Sequence, residues 1–263
     1  MKIIGLTRIR NEGRIIKDTL DHLASFCDYV YIFDDASEDN TLEICSQHHI
    51  VKEIIQNKEW KFNRIEEEYK NRQELLNLAK KNCDENDWLI YIDADERIEF
   101  DWNKLISKKY NAIRMKLFDY YITPEDTEKQ YYERKWIGPE YRKIVIAFKY
   151  SPELIYNTPD QREVILPKKR KVLDDGYVKH YGKAISIDIW EETCDYYITH
   201  FEKYADKWKL RKGKAVHTKS DFSNELIQWH EKTSKGFLLS QEEKYSKFTT
   251  LLNKLSLKIS NYK

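Results

Sequence analysis

Trp88-Leu89-Ile90-Tyr91-Ile92-Asp93-Ala94-Asp95-Glu96 is the stretch from which the fold can be read. Its first five residues are apolar or aromatic without alternation, which predicts a strand covered on both faces, as in a parallel α/β sheet. Open sheets of that kind bind ligands in the crevice beyond the carboxyl ends of their strands, where Asp93 and Asp95 fall. Two carboxylates there are hard oxygen ligands that suit Mg²⁺ or Mn²⁺ bridging a phosphate. The competing reading is a loop whose Asp and Glu cap the next helix.

Working outward, a second strand, Tyr29-Val30-Tyr31-Ile32-Phe33, also ends in carboxylates, Asp34-Asp35-Ala36-Ser37-Glu38-Asp39-Asn40-Thr41. Asp39 or Ser37 is placed to cap a helix beginning near Thr41, whereas Asp34 and Asp35 come too early to do so. A third short strand, Lys2-Ile3-Ile4-Gly5-Leu6, opens the chain and ends at Thr7-Arg8-Ile9-Arg10-Asn11-Glu12. The segment after it carries Ile16, Leu20, Leu23 and Ala24 on one helical face. Residues 63–82 read as a long helix, with Asn63 and Glu66 spaced as a capping box and Leu75, Leu76, Leu78 and Ala79 on its apolar side. Glu66-Glu67-Glu68 is then a solvated first turn, and Arg72 by itself a surface arginine.

These motifs, in this order, resemble those of the family 2 glycosyltransferases of the GT-A type. The matching residues are Thr7 to Glu12, Asp34-Asp35-Ala36-Ser37 with Asp39 and Thr41, Asn71-Arg72, and Asp93-Ala94-Asp95-Glu96, over roughly the first 100 residues. The resemblance implies an α/β fold, a Rossmann-like, mixed but mostly parallel sheet flanked by helices, with a helical C-terminal region. It also implies a donor-binding half in 1–100, an acceptor-binding half in 101–185 and a helical extension in 186–263. Thr7, Arg8, Asn11, Glu12 and Ala94 would then line a nucleotide-sugar site, and Asp34 or Asp35 would accept the imide N–H of the base. Arg72 would approach base or diphosphate, Asp93 would face ribose or metal, and Asp95 would ligate Mn²⁺ or Mg²⁺. A cation and a guanidinium beside a leaving diphosphate make chemical sense, because both neutralise its developing charge.

Further along, residues 112–118 and 143–148 read as strands, separated by an aromatic loop containing Tyr120, Tyr121, Tyr131, Tyr132 and Trp136 to Pro139. Aromatic faces there suit either an acceptor sugar or a core. His180-Tyr181-Gly182-Lys183 resembles the late histidine segment of the family, which makes His180 a metal ligand and Lys183 a phosphate contact; a hydrogen-bonded structural histidine is the plainer alternative. Many relatives carry a His-Glu pair upstream of that segment, but this chain has Thr158-Pro159-Asp160-Gln161-Arg162-Glu163. Asp160 is therefore the first candidate for general base and Glu163 the second.

Residues 187–210 carry Trp190, Cys194, Tyr197, Ile198, Phe201, Tyr204 and Trp208 at helical spacings and read as a packed helix. The basic run Lys207 to His217, interleaved with aromatics, suits a phosphorylated acceptor, a membrane surface or a nucleic acid, or simply a solvated helix end. Lys168-Lys169-Arg170-Lys171 reads as a solvated turn.

Composition narrows the choice. The 263 residues carry 46 basic and 45 acidic side chains, a net charge of +1, so no global field points to nucleic acid or an anionic membrane. No apolar run approaches the roughly 18 residues of a membrane span, the start lacks a signal-peptide core, and Cys27, Cys45, Cys83 and Cys194 lack metal-site spacing. The expectation is a cytoplasmic enzyme with reduced thiols, moving a sugar from a UDP-sugar to an acceptor hydroxyl with inversion. A saccharide is the expected acceptor, and a hydroxylated DNA base or a protein side chain the alternative. A nucleotidyltransferase or a non-catalytic glycan- or nucleic-acid-binding module are the rival classes; the former usually needs a Gly-rich basic loop, and Leu6 to Arg14 holds a single glycine, Gly13.

Overall fold

The computed structural model describes residues 1–61, 64–106, 109–157 and 162–239. They fall into two compact units, Met1–Leu117 with Lys143–Lys179, and Phe118–Arg142 with His180–Lys263. Strands β1 (Ile3–Ile9), β2 (Tyr29–Asp34), β3 (Val51–Gln56) and β4 (Trp88–Tyr91) form the start of the first unit. β1 lies between β2 and β4 and runs parallel to both, with Leu6 opposite Tyr31 on one side and Tyr91 on the other; β3 adds in parallel beyond β2. Helices α1 (Ile16–Ala24), α2 (Thr41–Gln47) and α3 (Arg64–Lys80) follow β1, β2 and β3 in turn. Because the four strands are parallel, all four carboxyl ends lie along one edge, and every strand-end motif is delivered there.

Beyond β4 the sheet continues with β7 (Trp136–Lys149), β6 (Ala112–Tyr120), β8 (Val172–His180) and β5 (Glu96–Glu99). β7 is antiparallel to β4, with Leu89 opposite Phe148, which makes the sheet mixed. Ile4, Leu6, Tyr31, Phe33, Leu89, Tyr91 and Phe148 share one core with Leu75, Leu76 and Ala79 of α3. The unbroken apolar runs of β1, β2 and β4 are thus buried as a Rossmann-like sheet requires.

In the second unit, Trp136 and Ile137 of β7 pair with β9 (Ile227–Gln228), and Glu140 and Tyr141 with β10 (Phe237–Leu238). Trp136 to Pro139, expected in a loop, are therefore strand residues; their partners are two-residue strands too short to leave a pattern. The expected helix over 187–210 is two helices, α4 (Ile187–His200) and α5 (Glu202–Lys209), parted at Phe201, whose φ of −133° and ψ of 81° leave the helical region. Ser186 caps α4 by accepting the Ile189 N–H at 3.2 Å. Trp190, Cys194 and Trp208 are buried together, with Tyr197 stacked on Trp208 at 4.4 Å, so the aromatic spacing is core packing. The short helix α6 (Lys232–Lys235) follows. Of the aromatic loop, Tyr120, Tyr121 and Tyr131 are buried and Tyr132 is exposed. The four cysteines are free thiols. Among the described residues no helix is long and apolar enough to cross a membrane.

Candidate active site

The loops that leave β1 and β2 are tied to each other in the first unit. Asn11, in the left-handed region at φ 54°, donates its N–H to Ser37 Oγ at 3.0 Å, and its side-chain oxygen accepts the Glu38 N–H at 2.8 Å. The Glu12 N–H donates to Thr41 Oγ1 at 2.7 Å and the Gly13 N–H to Asp39 Oδ2 at 3.0 Å. A side chain at position 13 would meet Asn40 Oδ1 at 2.0 Å, so glycine is what lets the loops approach. Asp39 also accepts the Thr41 N–H at 3.0 Å, a turn just ahead of α2, whose N-cap is Asn40 with no side-chain cap bond, so the capping role expected of Asp39 or Ser37 is not filled by either. Thr7 is fully buried and donates its hydroxyl to the Ile92 carbonyl, clamping β1 to the end of β4.

Asp34 and Asp35 are both buried, yet their surroundings differ. Asp34 Oδ2 closes a turn by accepting the Ser37 N–H at 3.2 Å, while its Oδ1 has no hydrogen-bond partner among the described residues. Asp35 accepts from Arg8 at 3.1 Å and from Asn57 Nδ2 at 2.9 Å. Beside this pair lies a cleft of about 560 Å³, lined by Arg10, Ser37, Gln56, Asn57 and Trp60 among others, with the Arg10 guanidinium 4.5 Å from the Trp60 ring centre. That volume suits a small ligand. Neither Trp60 nor Asn57 carries a sequence signal, since each lies past a strand with no motif of its own.

At the end of β4, Tyr91 lies between two arginines, 5.7 Å from Arg72 and 5.9 Å from Arg162 measured to its ring centre. Arg72 Nε donates to the Tyr91 hydroxyl at 3.1 Å, and that hydroxyl donates to Asp93 at 3.3 Å. Arg72 is thus a buried residue, against the surface position its helix alone suggests. Arg162 grips Glu96 with both terminal nitrogens and lies 3.4 Å from Asp93. Burial works against the charge of Arg8, Arg72 and Arg162, but Glu68, Asp93, Asp35 and Glu96 more than offset it and all three are held firmly protonated. Ala94 is buried, and its carbonyl accepts from Thr19 at 2.6 Å and Arg97 at 2.9 Å.

Glu12 gives the electrostatic character of this edge. Burial raises its pKa well above the ordinary carboxylate range, and the nearby carboxylates of Asp95 and then Asp93 raise it further. Asp93 and Asp95 thus make one negative region that favours the neutral form of Glu12, and two carboxylates are hard oxygen donors of the kind that Mg²⁺ or Mn²⁺ accepts. Among the described residues no three acidic, histidine or cysteine groups lie together as a set that could hold a metal ion. An ion that keeps positions open for phosphate oxygens does not need three. Asp160 lies outside the described residues. Glu163 is exposed and accepts the Val145 N–H at the edge of β7.

The second unit holds a separate charged network. His180 Nδ1 is 2.5 Å from Asp119 Oδ1, and Lys183 donates to Asp119 Oδ2 at 2.7 Å. Lys183 also reaches Asp221 at 2.6 Å, and Arg142 lies 2.9 Å from Asp119. Burial would raise the Asp119 carboxyl, but Arg142, Lys183 and His180 hold it well below its usual range. Asp119 and Asp221 escaped the sequence analysis because their partners lie 61 and 38 positions away.

A match to the family described as glycosyl transferase family 2 extends over residues 7–173. Two mycobacterial proteins of uncharacterized function, from Mycobacterium tuberculosis and Mycobacterium bovis, are each 34% identical over 107 residues. That stretch is 38% of this chain and 25% of theirs, so the chain spans about a quarter of the length of those curated relatives. Among solved structures, mannosyl-3-phosphoglycerate synthase of Rubrobacter xylanophilus aligns at 17% identity and a TM-score of 0.30, over 48% of this chain and 42% of that one. Glucosyl-3-phosphoglycerate synthase of M. tuberculosis, solved with Mn²⁺, UDP and glucosyl-3-phosphoglycerate, aligns at 14% identity and 0.29, over 49% and 47%. HddC of Yersinia pseudotuberculosis aligns at 10% and 0.38, over 75% and 100%. The family match takes in the ends of β1, β2 and β4 together with α3 and Arg162, and the sheet is the mixed, mostly parallel one of the GT-A type: the chain belongs to glycosyl transferase family 2.

Proposed function

We propose that this protein transfers a sugar from a nucleoside-diphosphate donor, UDP-linked, to an acceptor hydroxyl, with inversion and with a divalent cation. The observation that carries the reading is the meeting, at one sheet edge, of the Asp93 and Asp95 carboxylates, beside the Glu12 carboxyl group, with the Arg8, Arg72 and Arg162 guanidinium groups. That arrangement meets the two needs of a diphosphate leaving group, a site for a cation and fixed positive charge for the remaining oxygens.

In this reading Asp95 holds the ion, with Asp93 and Glu12 beside it. When bound, the ion neutralises the departing diphosphate as a Lewis acid. Arg8, Arg72 and Arg162 orient the diphosphate, and Tyr91 keeps Arg72 and Asp93 in register through its hydroxyl. The base occupies the cleft at Asn57 and Trp60, with Asp35 at its margin. A carboxylate, Asp160 first and Glu163 second, takes the acceptor's proton as the new glycosidic bond forms. His180 and Lys183, held by Asp119 in the second unit, take no part in this reading of the donor site, and the acceptor is a saccharide.

Calorimetric titration of UDP with and without Mn²⁺ tests the core of this proposal. Wild-type protein should bind UDP only with the cation, and Asp95→Asn should abolish that dependence with an unchanged melting temperature. Equal UDP affinity in the variant would refute the metal assignment.

A further inference from the structure

We propose that Glu68 holds, between Arg8 and Arg72, the place of a donor phosphate group, and that the diphosphate enters by taking this place from it. The inference rests on the nucleoside-diphosphate reading above and adds how that site is controlled: an internal carboxylate competes with the donor for the same two guanidinium groups.

Glu68 is the last of three glutamates expected in a solvated first turn, and the other two are balanced by lysines. Glu66 meets Lys70 at 2.7 Å, and Glu67 meets Lys61 at 3.2 Å and Lys70 at 3.4 Å. Glu68 turns instead to the end of β1. Its Oε1 lies 3.2 Å from an Arg8 terminal nitrogen, and its Oε2 lies 3.5 Å from a terminal nitrogen of Arg72, one helical turn along α3. A carboxylate that bridges two arginines through separate oxygens offers them what a phosphate group would, because guanidinium takes both anions by the same charge-assisted contacts.

Each arginine also has a second, hydrogen-bonded hold. Arg8 donates to Asp35 at 3.1 Å, and Arg72 Nε donates to the Tyr91 hydroxyl at 3.1 Å. Asp35 and Tyr91 are buried beside the ends of β2 and β4, and the Asp35 side chain is 1% exposed; that of Glu68 is 25% exposed. Glu68 is therefore the partner able to leave. Rotation about its own side chain takes the carboxylate to water, and Asp35 and Tyr91 keep the two guanidinium groups where they are.

Charge supplies the reason for it to leave. Among the described residues, Arg8, Arg72 and Arg162 stand at this edge with the carboxylates of Asp35, Glu68, Asp93, Asp95 and Glu96, so the arginines are already more than balanced. A diphosphate adds further negative charge. A divalent cation beside Asp93 and Asp95 offsets part of it, and the departure of Glu68 removes one more negative charge while opening two guanidinium contacts to the phosphate oxygens. Run backwards, the exchange assists release, since the returning carboxylate competes with UDP for Arg8 and Arg72.

The test titrates the full chain with UDP and Mn²⁺ by calorimetry, in wild type and in Glu68→Gln, which keeps the size of the side chain and removes its charge. UDP should bind the variant about tenfold tighter, chiefly through slower dissociation. Uridine, which has no phosphate, should bind both proteins alike when followed by NMR. Glu68→Ala is read in the same way if the glutamine variant does not fold. Equal UDP affinity overturns the proposal, and weaker binding overturns it by making Glu68 a residue that positions the arginines; in both cases bound UDP leaves the donor reading standing. A parallel gain for uridine also overturns it, by placing the effect in the base cleft. If UDP binds neither protein, the nucleoside-diphosphate reading falls, and inorganic pyrophosphate with Mn²⁺ decides the exchange: tighter binding in the variant sustains it, and no difference overturns it.

Discussion

Asp34 and Asp35 are adjacent and equally buried, yet opposite faces of the chain give them different work. Asp34 stabilises its own turn through the Ser37 N–H, while Asp35 faces Arg8 and Asn57 at the cleft. Uracil presents an N3–H donor to a carboxylate, whereas cytosine presents an acceptor there and is rejected. Asp35→Ala is therefore expected to abolish the preference for UDP over CDP in calorimetry. It should also lower stability by about 1–3 kcal/mol, because the partly buried Arg8 loses a charged partner. Asp34→Ala should lose stability and keep the preference. A variant lacking Asp35 that still discriminates the two nucleotides would place base recognition elsewhere. Both carboxylates are visible in the sequence as a strand end, but which one faces the cleft depends on Ser37, three residues from Asp34, and Asn57, 22 residues from Asp35.

Elements are joined in this fold by a few side chains that reach across them, and His22 is one with a pH signature. It sits in α1 and its Nε2 accepts the Ile98 N–H of β5 at 2.8 Å, which requires a neutral ring. Burial and then the neighbouring Arg97 depress its pKa to about 4. The unfolded chain takes up this proton near the usual value of roughly 6.5, the folded one near 4, so stability falls as pH drops through that window. His22→Leu should be less stable than wild type at pH 7, since Ile98 loses its acceptor, and the gap in urea midpoints should shrink between about pH 6.5 and 4. Parallel curves for the two proteins would show that His22 does not titrate as described. Periodicity announced α1 and α3, because each buries one stripe on the sheet, while α2 was placed by the polar residues ahead of Thr41. It failed for β9, β10 and the start of β7, whose pairing is non-local and whose strands are too short to carry a period.

At the scale of the whole molecule, donor chemistry and proton transfer should separate. The donor groups lie in the first unit, and a general base acts on the acceptor without holding the nucleotide. Asp160→Asn should bind UDP-sugar like wild type and release UDP about 10²–10⁴-fold more slowly. Glu163→Gln should show the smaller defect; glutamine still accepts the Val145 N–H, so any loss reports the charge alone. Normal turnover in both variants would put the base elsewhere.

What the sequence by itself determined is the set of strand ends. Apolar runs followed at once by Thr7-Arg8, Asp34-Asp35 and Asp93-Ala94-Asp95 place polar groups at one edge of a parallel sheet, because burial of the run leaves its carboxyl end as the first place charge can emerge. Only the tertiary structure decided which distant groups meet them. Arg162 reaches Glu96 across 66 positions, Lys183 reaches Asp119 across 64, and Glu12 shares its negative region with Asp93 and Asp95. Such encounters depend on strand order and on where a chain returns after an antiparallel turn. Those are set by the packing of the whole core, so no local pattern of residues records them.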